Sequence, residues 1–137
     1  MSSSFLLSTH VFGRATSSHD LLLVGIYAGG GLLGWLIAYP VVHILTYARP
    51  PQAVMAGWIV LLGIVTIGAT AGLYALQYRY FYAHWHAPFP SRIWAYQLVY
   101  TAAVAVYQFA VLGLRHLVPA GFALLIALGI VMARRSR

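Results

Sequence analysis

Apolar residues run through this chain in long blocks rather than on alternate or amphipathic positions. The first block extends from Leu21 to about Tyr47, the second from Ala53 to about Tyr82, and a third from Ile93 to Ala133. A helix rises about 1.5 Å per residue and a bilayer hydrocarbon core is about 30 Å thick, so each of the first two blocks is one membrane crossing. The third would measure about 60 Å as a single helix, twice that thickness. It therefore breaks, and Gly113, Arg115, His116 and Pro119 mark the place: one span ends near Arg115, and Pro119 suits the first turn of the next. The predicted spans are 21–47, 53–82, 93–115 and 117–133, an all-α integral membrane protein whose four transmembrane helices form an up-down bundle.

Polar signals punctuate these blocks. Residues 1–20 read as a polar tail, Ser/Thr-rich, with Arg14 as its one basic residue, a faint organelle-targeting pattern. Asp20 is placed to cap the first span. Pro40 interrupts that span and sets His43 near its far end. Arg49-Pro50-Pro51 closes it. Between the second and third spans, Tyr74 to Tyr96 concentrates Tyr, Trp, His and Arg, the composition of a membrane–water interface. Within it Tyr74, Tyr78 and Tyr82 share one helical face.

Small residues recur at helical spacing. Gly25/Gly29 and Gly30/Gly34 in the first span, with Gly68/Gly72 in the second, predict a close antiparallel hairpin through these surfaces.

Composition fixes the class. The chain is 62% hydrophobic and 7% charged, against roughly 45–50% and 25% for soluble domains. All eight basic residues are arginine and Asp20 is the only acid. In the four-span arrangement one side holds Arg14, Arg79, Arg92, Arg134, Arg135 and Arg137, and the other Arg49 and Arg115. The positive-inside rule then places both termini on the cytoplasmic or matrix side, with anionic lipid such as cardiolipin as a contact. No basic run of the kind that binds nucleic acid precedes the C-terminal arginines. The absence of cysteine excludes disulfides, thiolate metal sites, iron–sulfur clusters and covalent c-type haem.

Candidate chemistry is sparse. One Asp cannot supply an acid–base pair. His84 and His86 would point together from an extended loop, but form an incomplete metal set. His43 and His116 are expected near the same membrane face, where facing imidazoles are the requirement for a haem b. On the third span Gln97 and Gln108 share a face close to Tyr100 and Tyr107. That face is either an interhelical hydrogen-bond seam or a site for a quinone or lipid headgroup.

Gly113-Leu114-Arg115-His116-Leu117 resembles the GIRHL-type element of the cytochrome b membrane-anchor subunit of succinate dehydrogenase. That resemblance implies a respiratory-complex anchor, with Arg115 and His116 at the positions beside the haem propionates and quinone site. The chain departs from the pattern at Phe109, which stands where the family's haem-ligating His is expected, and at Pro119-Ala120, which replace an aromatic–Asp pair. The family's Ser-x-x-His-Arg signature has a counterpart only in Thr16-Ser-Ser-His19, with Asp20 in place of the Arg.

The expected function is a small non-catalytic subunit of a larger membrane complex, in a respiratory or other energy-transducing membrane, either the mitochondrial inner membrane or a prokaryotic plasma membrane. It requires no cofactor, and other membrane subunits are its partners. The alternatives are a haem b- or quinone-binding anchor using His43, Arg115, His116, Tyr100, Tyr107 and Gln108, and a small homo-oligomeric transporter or channel.

Overall fold

A computed structural model of the chain describes residues 2–10 and 20–135. These residues form helices and connecting turns, with no strand among them. Three helical stretches are long and apolar enough to cross a membrane: Leu21–Leu45, Pro51–Trp85 and Arg92–Leu117, of 25, 35 and 26 residues. The expected fourth span is a helix of 16 residues, Ala120–Arg135, about 24 Å long.

The first helix, α1 (Ser2–His10), falls within the segment expected to be a polar tail. It is held by Phe5, which is 1% exposed. The rest of that tail, including Arg14 and Thr16–His19, lies outside the described residues, as does Arg137. Helix α2 (Asp20–Leu45) begins at the expected acid and runs through Pro40 to Leu45. Thr46–Arg49 turn it back, with the Arg49 amide donating to the Thr46 carbonyl at 3.1 Å and Ala48 at a φ of 53°. That left-handed residue just past the last helical turn closes a tight turn on Thr46, while the Thr46 amide and hydroxyl both donate to the Val42 carbonyl. Pro50 is extended and Pro51 opens α3 (Pro51–Gly57), where a missing N–H costs nothing.

A π-turn at Trp58–Leu62 joins α3 to α4 (Gly63–Tyr82), and a 3₁₀ turn, Ala83–Trp85, extends α4 further. Helix α5 (Arg92–Gln108) starts where Ser91 accepts the Trp94 amide at 3.0 Å, an N-cap hydrogen bond. A second π-turn, Phe109–Gly113, and a 3₁₀ turn, Leu114–Leu117, lead to α6 (Ala120–Arg135). Val118 is extended (φ −107°, ψ 131°), the conformation that a following proline imposes.

The α2–α4 contact is antiparallel and close, as the glycine spacing predicts, but its opposing surface is threonine. A β-carbon on Gly30 would stand 2.9 Å from Thr70 Cα, and one on Gly34 2.8 Å from Thr66 Cα. Thr70 donates its hydroxyl to the Thr66 carbonyl at 2.7 Å, so a buried polar group is satisfied within its own helix. Gly29 meets Leu73, whereas Gly25, Gly68 and Gly72 have nothing within 4 Å of a notional β-carbon. Thr66 and Thr70 occupy the register that Gly68 and Gly72 were expected to fill.

Helices α5 and α6 do not fold back on each other. Thr101, Gln108 and Phe109 meet His86, Tyr78 and Tyr74 of the second half of the α4 leg. Gly63 meets Leu125 and Gly129 meets Ile59, in the first half of that leg. Helices α5 and α6 therefore succeed one another along α3–α4, both antiparallel to it. The break at Leu114–Pro119 falls where the sequence places it, but it does not reverse the chain.

Two core clusters result. Ala38, Val42, Val54, Trp58 and Leu62 gather near the Arg49 and Arg135 end, against Leu125, Leu128 and Met132 of α6. Phe5, Tyr27, Phe109 and Leu117 gather at the α5–α6 break.

Candidate functional site

A buried polar contact ties the break to α2. Gly113 ends the π-turn, and its carbonyl accepts a hydrogen bond from the Tyr27 hydroxyl at 2.7 Å. Tyr27 is fully buried. Its ring stacks on Phe5 at 4.9 Å and meets His116 edge-on at 6.1 Å, while Phe5 and His116 lie 5.0 Å apart. Phe109 stands between Tyr27 and Tyr74 at 6.4 and 5.5 Å. One tyrosine thus joins α2, the end of α5 and α1. A β-carbon on Gly113 would run into the Phe109 ring, 2.9 Å from Cε2, and crowd the Tyr27 hydroxyl at 3.1 Å, so glycine here lets both rings pack against the backbone.

His43 and His116, the pair expected to face one another, belong to different clusters. His43 is exposed near the end of α2, against Tyr39 at 4.6 Å and Trp58 at 6.3 Å. His116 is buried at the break with Phe5 and Tyr27. The pairing required for a shared haem is not made. Phe109, at the resemblance's ligand position, is a buried core residue. Arg115 is exposed one residue before His116.

The α4–α5 junction carries a hydrogen-bonded chain. Arg79 Nη1 donates to His86 Nδ1 at 2.8 Å, since a guanidinium has donors only. His86 therefore carries its proton on Nε2, which lies 3.3 Å from Thr101 Oγ1; Thr101 in turn donates to the Gln97 carbonyl at 2.6 Å. The Gln97 side chain accepts the Ala87 amide at 2.8 Å. The Arg79 guanidinium also sits 4.7 Å over the Trp94 ring. Gln108 accepts from the Tyr78 hydroxyl. The glutamines of α5 thus serve as a seam to α4 and the loop.

Tyr100 and Tyr107 are not on that seam. They are 71% and 68% exposed, on the face of α5 beside the seam, with Ile93 and Tyr96. These four positions follow the steps of three, four and seven residues of a helix-packing stripe, a signal present in the sequence but outweighed by the Gln–Tyr spacing. Among the described residues no group of three or more His, Cys, Asp or Glu side chains comes together.

An apolar groove of about 660 Å³ lies between α2 and α6, floored by α4, with Gly31, Trp35, Gly63 and Phe122 among its lining.

Length, apolarity and helical packing define a membrane protein. No family model, curated protein or solved structure matches the chain.

Proposed function

We propose that the chain is a small non-catalytic subunit of a larger membrane protein complex. The observation that carries this reading is the length of the α3–α4 leg and what stands on its overhang. Its 35 residues measure about 52 Å, and an average tilt of about 20° still projects to about 49 Å against a hydrocarbon core of about 30 Å.

The arginines suggest where the excess lies. Arg49, Arg134 and Arg135 gather at one end, and Arg115 sits at the break, roughly 30 Å of chain from Arg135. Between them α6 exposes only apolar side chains such as Phe122, Leu124 and Ile126. On this reading α2, α3–α4 and α6 make three crossings. The α4–α5 hairpin then projects past the break alongside the first turns of α2, where Leu22 and Ile26 line one groove with Leu73, Leu76 and Tyr80, even though Arg92–Leu117 is itself long and apolar enough to cross. Tyr80, Trp85, Phe89, Tyr96 and Tyr100 are each more than two-thirds exposed. Aromatic surface of that extent outside hydrocarbon marks a protein contact. The arrangement departs from the four-span one in its topology, because it sets the Asp20 and Arg135 ends on opposite sides. It also removes the arginine asymmetry that oriented the four-span bundle.

Two measurements test the proposal. The chain lacks cysteine, so Leu21→Cys and Arg135→Cys report cleanly on an impermeant thiol reagent. The expected result is labelling from opposite compartments; labelling of both from one side restores an even number of crossings. Extraction in mild detergent is expected to give a particle several times the 15.0 kDa of the chain with a fixed set of other polypeptides. A monodisperse monomer or small homo-oligomer overturns the subunit reading.

A further inference from the structure

The exposed side of α5 has a shape and a charge that specify its occupant, given the subunit reading above. Ile93, Tyr96, Tyr100, Ala103, Tyr107 and Ala110 are all exposed and follow steps of three and four residues. This is the a/d pattern of a helix–helix seam, with Ala103 and Ala110 forming holes beside tyrosine knobs. Tyrosine supplies large rigid contact area and dominates the centres of protein interfaces. The adjoining face of α5 is already committed: Gln97 and Thr101 bond the loop, and Gln108 bonds Tyr78.

The charge around the stripe has one sign. Arg92 is exposed at its head, while Arg79 is held by His86 and Trp94 near the connecting loop and no acid occurs anywhere on α4, that loop or α5. The chain's only acid, Asp20, opens α2. A second copy of the chain is a poor occupant. Two copies in one membrane are related by an axis along its normal, so their stripes would run parallel and bring Arg92 against Arg92.

We propose that the exposed stripe of α5 docks an apolar-faced, acid-flanked α-helix of a different polypeptide outside the hydrocarbon core. Tyr100 and Tyr107 enter its grooves, Ala103 receives its side chains, and its carboxylates meet Arg92.

The test uses the full chain in its native membrane. Benzoylphenylalanine at position 100 (Tyr100→benzoylphenylalanine) is photolysed and the adduct digested. The expected product is an adduct with one other protein, on a segment of helical apolar spacing with Asp or Glu within about two turns. In parallel, Ala103→Trp and Arg92→Glu are expected to reduce the large detergent-extracted particle by roughly tenfold, the loss corresponding to about 1.4 kcal/mol. Ile44→Trp, at an exposed site on α2, is expected to leave it intact. An unchanged helical circular-dichroism spectrum of the released chain separates loss of docking from loss of folding.

Adducts to lipid alone would show that α5 faces the bilayer, and an adduct of twice the chain mass would show a second copy; either overturns the proposal. So does a large particle indifferent to Ala103→Trp and Arg92→Glu, in which case the subunit reading survives. A wild-type chain extracted as a free monomer overturns both.

Discussion

Gly30→Leu is expected to separate α2 from α4 and to lower the stability of the folded chain by more than about 3 kcal/mol, above the usual range for overpacking. The reason is the identity of the obstructing atom. A β-carbon at Gly30 meets Thr70 Cα at 2.9 Å, and backbone cannot rotate aside as a long side chain would. Gly34, one turn along, meets Thr66 in the same way, so even Gly30→Ala forces the two helices apart. The double variant Gly30→Ala/Gly34→Ala is expected to cost less than the sum of the two single changes, because the first already opens the contact that the second would strain. Gly68→Leu and Gly72→Leu, at sites with open space, are expected to cost less than about 1 kcal/mol. Unfolding in mixed detergent micelles, followed by tryptophan fluorescence, reads the order. Equal losses at Gly30 and Gly72 would remove the packing argument.

Tyr27→Ala is the second large effect, expected at about 3–5 kcal/mol by analogy with buried aromatic truncations. The side chain is fully buried and joins three elements through its ring and hydroxyl. Tyr27→Phe separates the contributions: it keeps the stacking on Phe5 and removes only the bond to the Gly113 carbonyl. That bond is worth about 0.6 kcal/mol on the membrane-protein average and at most about 1.7. Hydrogen exchange should localise the damage to α1 and to Leu114–Leu117. A Tyr27→Phe loss as large as that of Tyr27→Ala would mean that the hydroxyl, not the ring, holds the break.

The helices were legible because hydrophobic blocks bounded by Arg49-Pro50-Pro51 and by the aromatic loop admit few alternatives. The place of the third break was also legible, since Gly113 and Pro119 interrupt a run too long for one crossing. Its direction was not. A proline fixes Val118 in an extended conformation but says nothing of whether the next helix returns or continues; that is settled by Gly63 meeting Leu125 and Gly129 meeting Ile59, contacts with no local signal. The threonine register failed for a related reason. Small-residue spacing marks glycines, yet threonine with its hydroxyl turned to its own backbone is nearly as flat. Phe5 had no signal of burial, because the three apolar residues Phe5, Leu6 and Leu7 among serines and threonines are too few to show a helical period. Of the candidate residues, the Gln97 and Gln108 seam was visible from spacing alone. The separation of His43 from His116 was not, because it depends on α5 pairing with only the second half of the α3–α4 leg, which leaves His116 partway along it.

Between α5 and α6 the backbone has no continuous helical ladder. The Val118 amide donates to the Arg115 carbonyl at 3.3 Å, Pro119 has no N–H to give, and the Ala123 amide donates to the Pro119 carbonyl at 3.1 Å. The two helices are therefore joined through a non-helical link rather than as one continuous rod, and the Tyr27 hydroxyl on the Gly113 carbonyl ties that joint to α2.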